Sequence, residues 1–259
     1  MISVSETLRT NHLSGKGSLV GYYPAGFPNV DDSIEALVAM AENGCDVLEI
    51  GVPYSDPVMD GLVIQQATEL ARDNGFGLKD LFHVIREVRS RVQTPLLVMS
   101  YWNPVLAYGI ERFADDLVDS GAQGLITPDL IPDEAADWIE ISKQKNLDRV
   151  FLVAPSSSDD RVRDNSDVSQ GFVYSVSTMG ITGERANLDA LARNLVQRVR
   201  TLSDQLTCVG VGISTPEQVR EVNQYADGAI VGTAFVKAYQ ADGLAGLVAK
   251  TKDLASGLG

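Results

Sequence analysis

Residues 30–51 read VDDSIEALVAMAENGCDVLEIG, and this stretch contains the unit from which the rest of the chain is built. Ile34, Leu37, Val38 and Ala41 recur at the spacing of one helix face, which predicts an amphipathic helix over 30–43. The helical pattern ends near an Asn-Gly pair, and a short apolar run follows at 47–50. A run of this length between Asp and Gly is typical of a buried strand.

The same alternation of short apolar runs and amphipathic segments recurs along the whole chain. It predicts strands at 19–23, 47–50, 96–99, 124–127, 150–153, 172–176, 207–211 and 229–231, and helices at 30–43, 111–120, 133–145, 188–202 and 216–224. About eight strand–helix units without a linker predict an α/β fold, a single (β/α)8 TIM barrel domain over residues 1–259. Residues 1–16 are expected to form a helical or extended lead-in. A doubly wound open sheet is the alternative, but no G-x-G-x-x-G follows the first strand.

The composition excludes several classes of partner and location. Asp and Glu number 35 against 21 Lys and Arg, a net charge of −14, which argues against nucleic acid and anionic membranes. No apolar run approaches the length of a transmembrane helix, and the polar N-terminus lacks the apolar core of a signal peptide. Two cysteines are too few for a disulfide framework. We therefore expect a cytoplasmic protein.

Glu49 is the least expected residue in the predicted strands. Strand alternation places Leu48 and Ile50 on the helix-facing side, and Val47 and Glu49 inside the barrel. A buried carboxylate is costly unless it is paired or protonated. Pairing has one candidate, Arg149, but it precedes its strand at the opposite rim. The pattern favours a carboxyl group with a raised pKa that is suited to acid/base catalysis.

The connection after this strand, residues 51–61, is long for a loop between a strand and a helix, which usually has about 2–6 residues. Asp60 beside Gly61 is typical of a turn or a helix cap. Because Asp60 follows a barrel strand, it is also placed to face the same pocket mouth as Glu49. We expect it to be the second carboxylate of the site.

Glycine-bearing turns follow the last three predicted strands: Thr182-Gly183, Gly212-Ile213-Ser214 and Gly232-Thr233. Turns after strands seven and eight that lead into helices form the recurrent phosphate site of this fold. Backbone N–H groups can hold the anion there without Lys or Arg. Ser214 and Glu217 are predicted to cap the helix after strand seven. Residues 177–185 form a second long loop, predicted to act as a lid.

Other catalytic chemistries lack their residues. No lysine lies at the carboxyl end of a predicted strand, where a Schiff-base aldolase needs one. The two histidines, His12 and His83, have no ligand spacing, so no metal site is expected. Bond cleavage at this site would therefore depend on carboxylates that move protons.

The longest motif resembles the signature of a known family. Residues 48–61, LEIGVPYSDPVMDG, are similar to the L-E-[LIV]-G-x-P-[FY]-S-D-P-x-x-D-G signature of the tryptophan synthase alpha subunit family. GITG at 180–183 resembles that family's lid, and GVGIS at 210–214 and AIVGTA at 229–234 resemble its phosphate turns. The likeness extends from about residue 21 to residue 239.

The resemblance implies a lyase that cleaves indole-3-glycerol phosphate to indole and glyceraldehyde 3-phosphate. It implies that Glu49 protonates the indole carbon and handles the glycerol hydroxyl proton, and that Asp60 binds the indole N–H. Tyr22 resembles an indole-packing position, and Tyr174 could orient Glu49. The other implied substrate contacts are Thr182, Gly183, Gly212, Ile213, Gly232 and Thr233.

The resemblance also implies a partner. It is a beta subunit that carries pyridoxal phosphate, joined in an alpha-beta-beta-alpha tetramer, and no cofactor is expected in this chain. The partner-facing loops would be those that contain Pro53, Asp56, Asn103, Asp129 and Pro132.

Three residues depart from the family pattern: Val211 in place of Phe, Met59 in place of a small residue, and Phe27 in place of Asp. They bear on indole packing, on loop closure and on contacts of the first loop. Two alternative functions are a barrel enzyme that isomerises or epimerises a sugar phosphate, and a non-catalytic module that activates a beta-type subunit.

Overall fold

The computed structural model describes residues 2–176, 185–210 and 212–259, and for residues 185–188 it describes the backbone alone. Eight parallel strands form a closed barrel in sequence order, and β1 pairs with both β2 and β8. The strands are β1 (Leu19–Pro24), β2 (Val47–Gly51), β3 (Leu96–Met99), β4 (Gly124–Thr127), β5 (Asp148–Val153), β6 (Val173–Val176), β7 (Thr207–Gly210) and β8 (Gly228–Val231). The predicted barrel is confirmed, and its closure excludes the open sheet.

Helices connect the strands on the outside of the barrel. They are α1 (Val4–Leu13), α2 (Val30–Glu42), α3 (Leu62–Asp73), α4 (Leu78–Arg91), α5 (Trp102–Tyr108), α6 (Ile110–Ser120), α7 (Ala136–Gln144), α8 (Asp159–Val168), α9 (Arg185–Leu202), α10 (Pro216–Asn223) and α11 (Thr233–Ala255). A 3-10 turn at Pro132–Glu134 precedes α7. The apolar pattern predicts α2, α6, α7, α9 and α10 to within three residues at each end. It does not predict α3, α4, α5, α8 or α11. In α8 the apolar pattern is weak, because two of the three side chains that the helix buries, Asn165 and Ser166, are polar.

The strands bury both faces, and each face belongs to a different apolar cluster. Leu48 and Ile50 pack in the layer between the sheet and the helices. The inward faces form a second cluster: Val20, Val47, Leu97, Ile126, Val150, Phe172, Cys208 and Ile230. Val4 and Leu8 of α1 join this inner cluster, so α1 covers the end of the barrel at which the strands begin. The predicted orientation of β2 is confirmed.

Arg149 lies inside β5 rather than before it, which corrects the predicted strand boundary. Its Nη1 donates to the Gln170 side-chain oxygen at 3.1 Å and approaches the Ser142 hydroxyl at 3.4 Å. Burial lowers the pKa of Arg149, and the charge of its neighbour Asp148 raises that pKa by a smaller amount. Arg149 is therefore committed to the amino-terminal end of the barrel and does not neutralise Glu49.

We propose that α1 and the barrel form one domain, and Leu8→Ala tests this proposal. Leu8 is fully buried in the inner cluster. Truncating it leaves a cavity, so we expect unfolding in urea to remain a single transition, with the free energy of unfolding lowered by about 2–5 kcal/mol. Leu13→Ala, at a side chain that is 86% exposed, is the control and should change stability little. A second transition at lower urea concentration, affected by Leu8→Ala while the main transition is unchanged, would show that α1 unfolds independently.

Candidate active site

Glu49 is fully buried inside the barrel. In the strand register it lies between Tyr22 of β1 and Leu97 of β3. Neither carboxyl oxygen has a hydrogen-bond partner among the described residues. Burial raises the pKa of Glu49 to about 8, so the carboxyl group is mostly protonated at neutral pH. The site therefore contains a neutral carboxylic acid rather than an ion pair.

A cavity of about 440 Å³ opens at the carboxyl ends of the strands. Tyr22 and Tyr174 line it, and Asp60 and the glycine turns after β7 and β8 border it. Glu49 is not itself a lining residue. It lies close to both tyrosines. Burial is the main cause of the raised pKa of Tyr174, and the nearby Glu49 carboxyl group is the second cause. No hydrogen bond joins Tyr174 to Glu49, so the expected orienting contact is not formed here.

Tyr22 fits into the barrel because the residues beside it are glycines. A Cβ added to Gly51 would lie 2.3 Å from the Tyr22 hydroxyl, and one added to Gly232 would lie 2.9 Å from the ring. Tyr22 is 8% exposed and lines the cavity. Glycine at these two strand ends therefore makes room for an aromatic wall of the cavity.

Asp60 is half-buried at the cavity edge, in the loop between β2 and α3. Burial raises its pKa to about 6, so most of the group is ionised at neutral pH. Met59 also lines the cavity. The structure thus places Asp60 at the edge of the cavity that Glu49 lies beside, and burial raises the pKa of both carboxyl groups.

The turns after β7 and β8 face the same cavity. Gly212 has φ +69°, a left-handed conformation that favours glycine, and its Cβ position is open space. Gly232 caps α11 without a side-chain hydrogen bond, so the first N–H groups of that helix are left for a ligand. Ile213 and Thr233 complete the lining here. Together these turns form a cradle of backbone donors.

The predicted cap of α10 is wrong by one residue. The N-cap is Thr215, and its capping-box partner is Gln218 rather than Glu217. The Gln218 side-chain oxygen accepts hydrogen bonds from the N–H groups of Ser214 and Thr215, at 2.7 and 3.2 Å. These two donors are already used, so an anion at this turn would rely on residues before Ser214.

Some predicted residues lie outside the described part of the chain. They are Thr182 and Gly183 of the predicted lid, and Val211. Phe27, in contrast, is described and lies buried against Tyr23 and Tyr239, with ring centroids 6.0 Å from each. It is part of the packing between β1 and α11 rather than of the cavity lining.

Lys237 is a cavity residue that the sequence analysis missed. It is the one basic side chain among the described lining residues, and it forms no ion pair with a described residue. Lys237 lies on α11, four residues after Thr233, rather than at the end of a strand. An i, i+4 spacing places both side chains on one helix face, and that spacing was the available signal.

The loops predicted to face a partner meet on one surface. The Tyr54 and Tyr101 rings stack with centroids 5.2 Å apart, and the Asn103 amide donates to the Tyr54 hydroxyl at 3.3 Å. The Trp102 N–H donates to the Asp129 carboxylate at 2.9 Å. Exposed apolar side chains occur in or close along the chain to these loops: Val58, Leu62, Leu106 and Ile131. The structure therefore brings together three loops that are far apart in sequence.

Within the described ranges, no three His, Cys, Asp or Glu side chains are grouped so that they could hold a metal ion. None of the described helices is both long enough and apolar enough to cross a membrane. The fold and the cavity define a (β/α)8-barrel protein with a buried carboxylic acid, a second carboxylate and a backbone cradle at the carboxyl-terminal face.

A family model described as "Tryptophan synthase alpha chain" matches residues 8–257, and the chain belongs to this family. The tryptophan synthase alpha chain of Leifsonia xyli is 55% identical over 257 residues, covering 99% of this chain and 98% of that protein. That of Thermobifida fusca is 53% identical over 224 residues, covering 85% and 83%. A solved structure of tryptophan synthase from Mycobacterium tuberculosis superposes with a TM-score of 0.93 at 44% identity, covering 100% and 99%.

The family membership fixes the chemistry. The chain is a lyase of tryptophan biosynthesis that cleaves indole-3-glycerol phosphate, and it forms a complex with a beta chain. Pyridoxal phosphate belongs to the beta chain, and no cofactor belongs to this one. The two alternative functions, a sugar-phosphate isomerase and a non-catalytic module, are therefore set aside.

The raised pKa of Glu49 predicts how stability depends on pH. A carboxyl group whose pKa is higher in the folded state stabilises the fold while it is protonated, and this contribution is lost as the pH rises from about 4.5 through about 8. Glu49→Gln cannot lose a proton there. Between about pH 5 and pH 9, we expect the free energy of unfolding of Glu49→Gln to rise by about 3–5 kcal/mol relative to that of the native chain. Urea unfolding at each pH measures this difference.

Glu69→Gln is the matched control, because it makes the same substitution at an exposed position. The control should follow the native chain across this pH range. Parallel stability curves for Glu49→Gln and the native chain would mean that the Glu49 carboxyl group is solvated or paired.

Proposed function

We propose that Glu49 is the general acid and base of indole-3-glycerol phosphate cleavage. The observation that carries the proposal is its buried carboxyl group beside the cavity, which has no hydrogen-bond partner in the described part of the chain. At neutral pH the group is protonated and can donate its proton to the indole carbon at which the glycerol chain is attached. The carboxylate that remains accepts the glycerol hydroxyl proton as the carbon–carbon bond breaks. Indole and an aldehyde are then released, and the acid is regenerated.

The Asp60 carboxylate takes the complementary role in this proposal. Protonation at the ring carbon places positive charge on the indole nitrogen. An ionised carboxylate that accepts the indole N–H stabilises this charge in the transition state. Asp60 is ionised above about pH 6, while Glu49 is protonated below about pH 8. Both groups therefore have the required form near neutral pH. Tyr22 and Tyr174 would enclose the indole ring.

The phosphate group would bind at the backbone cradle of Gly212, Ile213, Gly232 and Thr233. Helix N–H groups bind anions without a formal positive charge, which suits a chain with net charge −14. Lys237, one helical turn after Thr233, would add a positive charge on a side chain long enough to reach the anion. Thr182 and Gly183 are part of the same proposal by family resemblance.

We further propose that the surface of Tyr54, Asn103 and Asp129 binds the beta chain, together with Pro53, Asp56 and Pro132. Its support is the presence of exposed apolar side chains in or next to these loops in the sequence, since exposed apolar surface marks protein interfaces. The assembly would be an alpha-beta-beta-alpha tetramer. We place the protein in the cytoplasm, because both of its cysteines, Cys45 and Cys208, are free.

Removal of either carboxyl group should abolish most of the cleavage. We expect Glu49→Gln and Asp60→Asn each to lower kcat about 10²-fold or more, the usual contribution of acid–base catalysis. The measurement is indole release from indole-3-glycerol phosphate, with and without the beta chain. Glu69→Gln again serves as the charge control. A Glu49→Gln variant that keeps native kcat would refute the proposed mechanism.

A negative charge in the cradle should weaken substrate binding rather than chemistry. We expect Gly212→Asp to raise KM at least tenfold, because a carboxylate at this position repels the phosphate. Gly212→Asn is the control, since Asn has the same shape and tolerates the left-handed backbone equally well. Equal KM values for the two variants would show that the phosphate does not bind at this turn.

A further inference from the structure

The segment that carries Asp60 is held at both ends by side chains that have no part in the chemistry proposed above. On one side, the Met59 N–H donates to the Tyr101 hydroxyl at 2.8 Å. On the other, the Gln65 amide donates to the Asp60 carbonyl oxygen at 2.7 Å. The two hydrogen bonds flank the Asp60 Cα, so they fix where its side chain can point.

Tyr101 is itself held firmly. It is 5% exposed and lies directly before α5, in the connection from β3. Its ring stacks on Tyr54, which stands at the other end of the same loop as Asp60. The residue before it, Ser100, donates its hydroxyl proton to the Tyr101 carbonyl oxygen at 2.8 Å. A buried side chain with these contacts is a rigid support for a loop.

Gln65 gives the second support from a different element. It lies in the first turn of α3, where its N–H bonds the Gly61 carbonyl oxygen at 3.0 Å. Its side-chain amide also lies 3.5 Å from the Pro57 carbonyl oxygen. One side chain on a helix thereby contacts the loop on both sides of Met59.

We propose that Tyr101 and Gln65 are positioning residues that clamp the Met59–Asp60 segment and hold the Asp60 carboxylate at the cavity. The proposal rests on the proposed function of Asp60. A misplacement of a reacting group by about 1 Å can cost up to about 10²-fold in rate. Two short hydrogen bonds from separate rigid elements provide the accuracy that a ten-residue loop lacks on its own.

The surroundings of Asp60 supply a readout of its position. The titratable groups that face Asp60 are the phenols of Tyr22, Tyr101 and Tyr174. Burial is the main cause of their raised pKa values, and the Asp60 charge is a further cause in each case. Lys237 lines the same cavity. Burial is what raises the pKa of Asp60, so a carboxyl group released into water should return toward its ordinary pKa.

The test uses Tyr101→Phe and Gln65→Met in the complex with the beta chain. Each removes one hydrogen bond with little change of volume. Tyr108→Phe is the first control, because the Tyr108 hydroxyl bonds Asp116 away from the loop. Gln66→Met is the second, because Gln66 is the exposed neighbour of Gln65. We expect kcat to fall about tenfold in each clamp variant, with KM within about threefold of native and urea midpoints equal to those of the controls.

A shift in the pH profile separates positioning from a general structural effect. In the clamp variants the acid limb of kcat/KM, near pH 6 for the native protein, should move to lower pH. Native kcat or an unmoved acid limb in these variants overturns the clamp. Asp60→Asn in the same series tests the role of Asp60 separately. If Asp60→Asn is inactive while the clamp variants keep native activity, only the clamp is refuted. If Asp60→Asn keeps its activity, the proposed function of Asp60 is refuted.

Discussion

The structure depends on one costly feature, a carboxyl group that is enclosed in a closed barrel and has no hydrogen-bond partner among the described residues. Water would solvate Glu49 in an open sheet, and a basic neighbour would keep it ionised. Closure of the barrel removes the water, and the one basic residue of the strands, Arg149, is held at the far end by Gln170 and Ser142. The free energy of desolvation therefore appears as a raised pKa. In the mechanism proposed above, that raised pKa is what makes a glutamic acid a proton donor at neutral pH.

The two ends of the barrel have different tasks. At the end where the strands begin, α1 inserts Val4 and Leu8 into the inner cluster and closes the barrel with apolar packing. At the end where they finish, aromatic and apolar side chains, together with glycine turns and a few polar groups, line a cavity. This division is general for (β/α)8 barrels, because loops that follow the strands can vary without disturbing the core. Here it separates the stability of the fold from the shape of the site.

Charge is handled locally in this chain. The net charge of −14 disfavours anions at long range. Within the cavity, the backbone turns at Gly212 and Gly232 and the side chain of Lys237 lie in the same lining and can attract an anion at short range. Such a site would bind a phosphate through aligned dipoles rather than through a cluster of basic residues. Two carboxyl groups can lie close to the same cavity, because Glu49 is mostly protonated at neutral pH while Asp60 is mostly ionised.

The sequence by itself determined the order of the strands, the inward direction of Glu49 and the glycine turns, because strand alternation and turn chemistry are local properties of the chain. The tertiary structure alone decided that no described residue pairs with Glu49, that Lys237 reaches the cavity, and that Tyr101 and Gln65 meet at the Met59–Asp60 segment. These facts depend on how the barrel closes and on which loops then become neighbours. Hydrogen bonds between separate elements leave no periodic trace in a sequence, so no pattern along the chain could have predicted them.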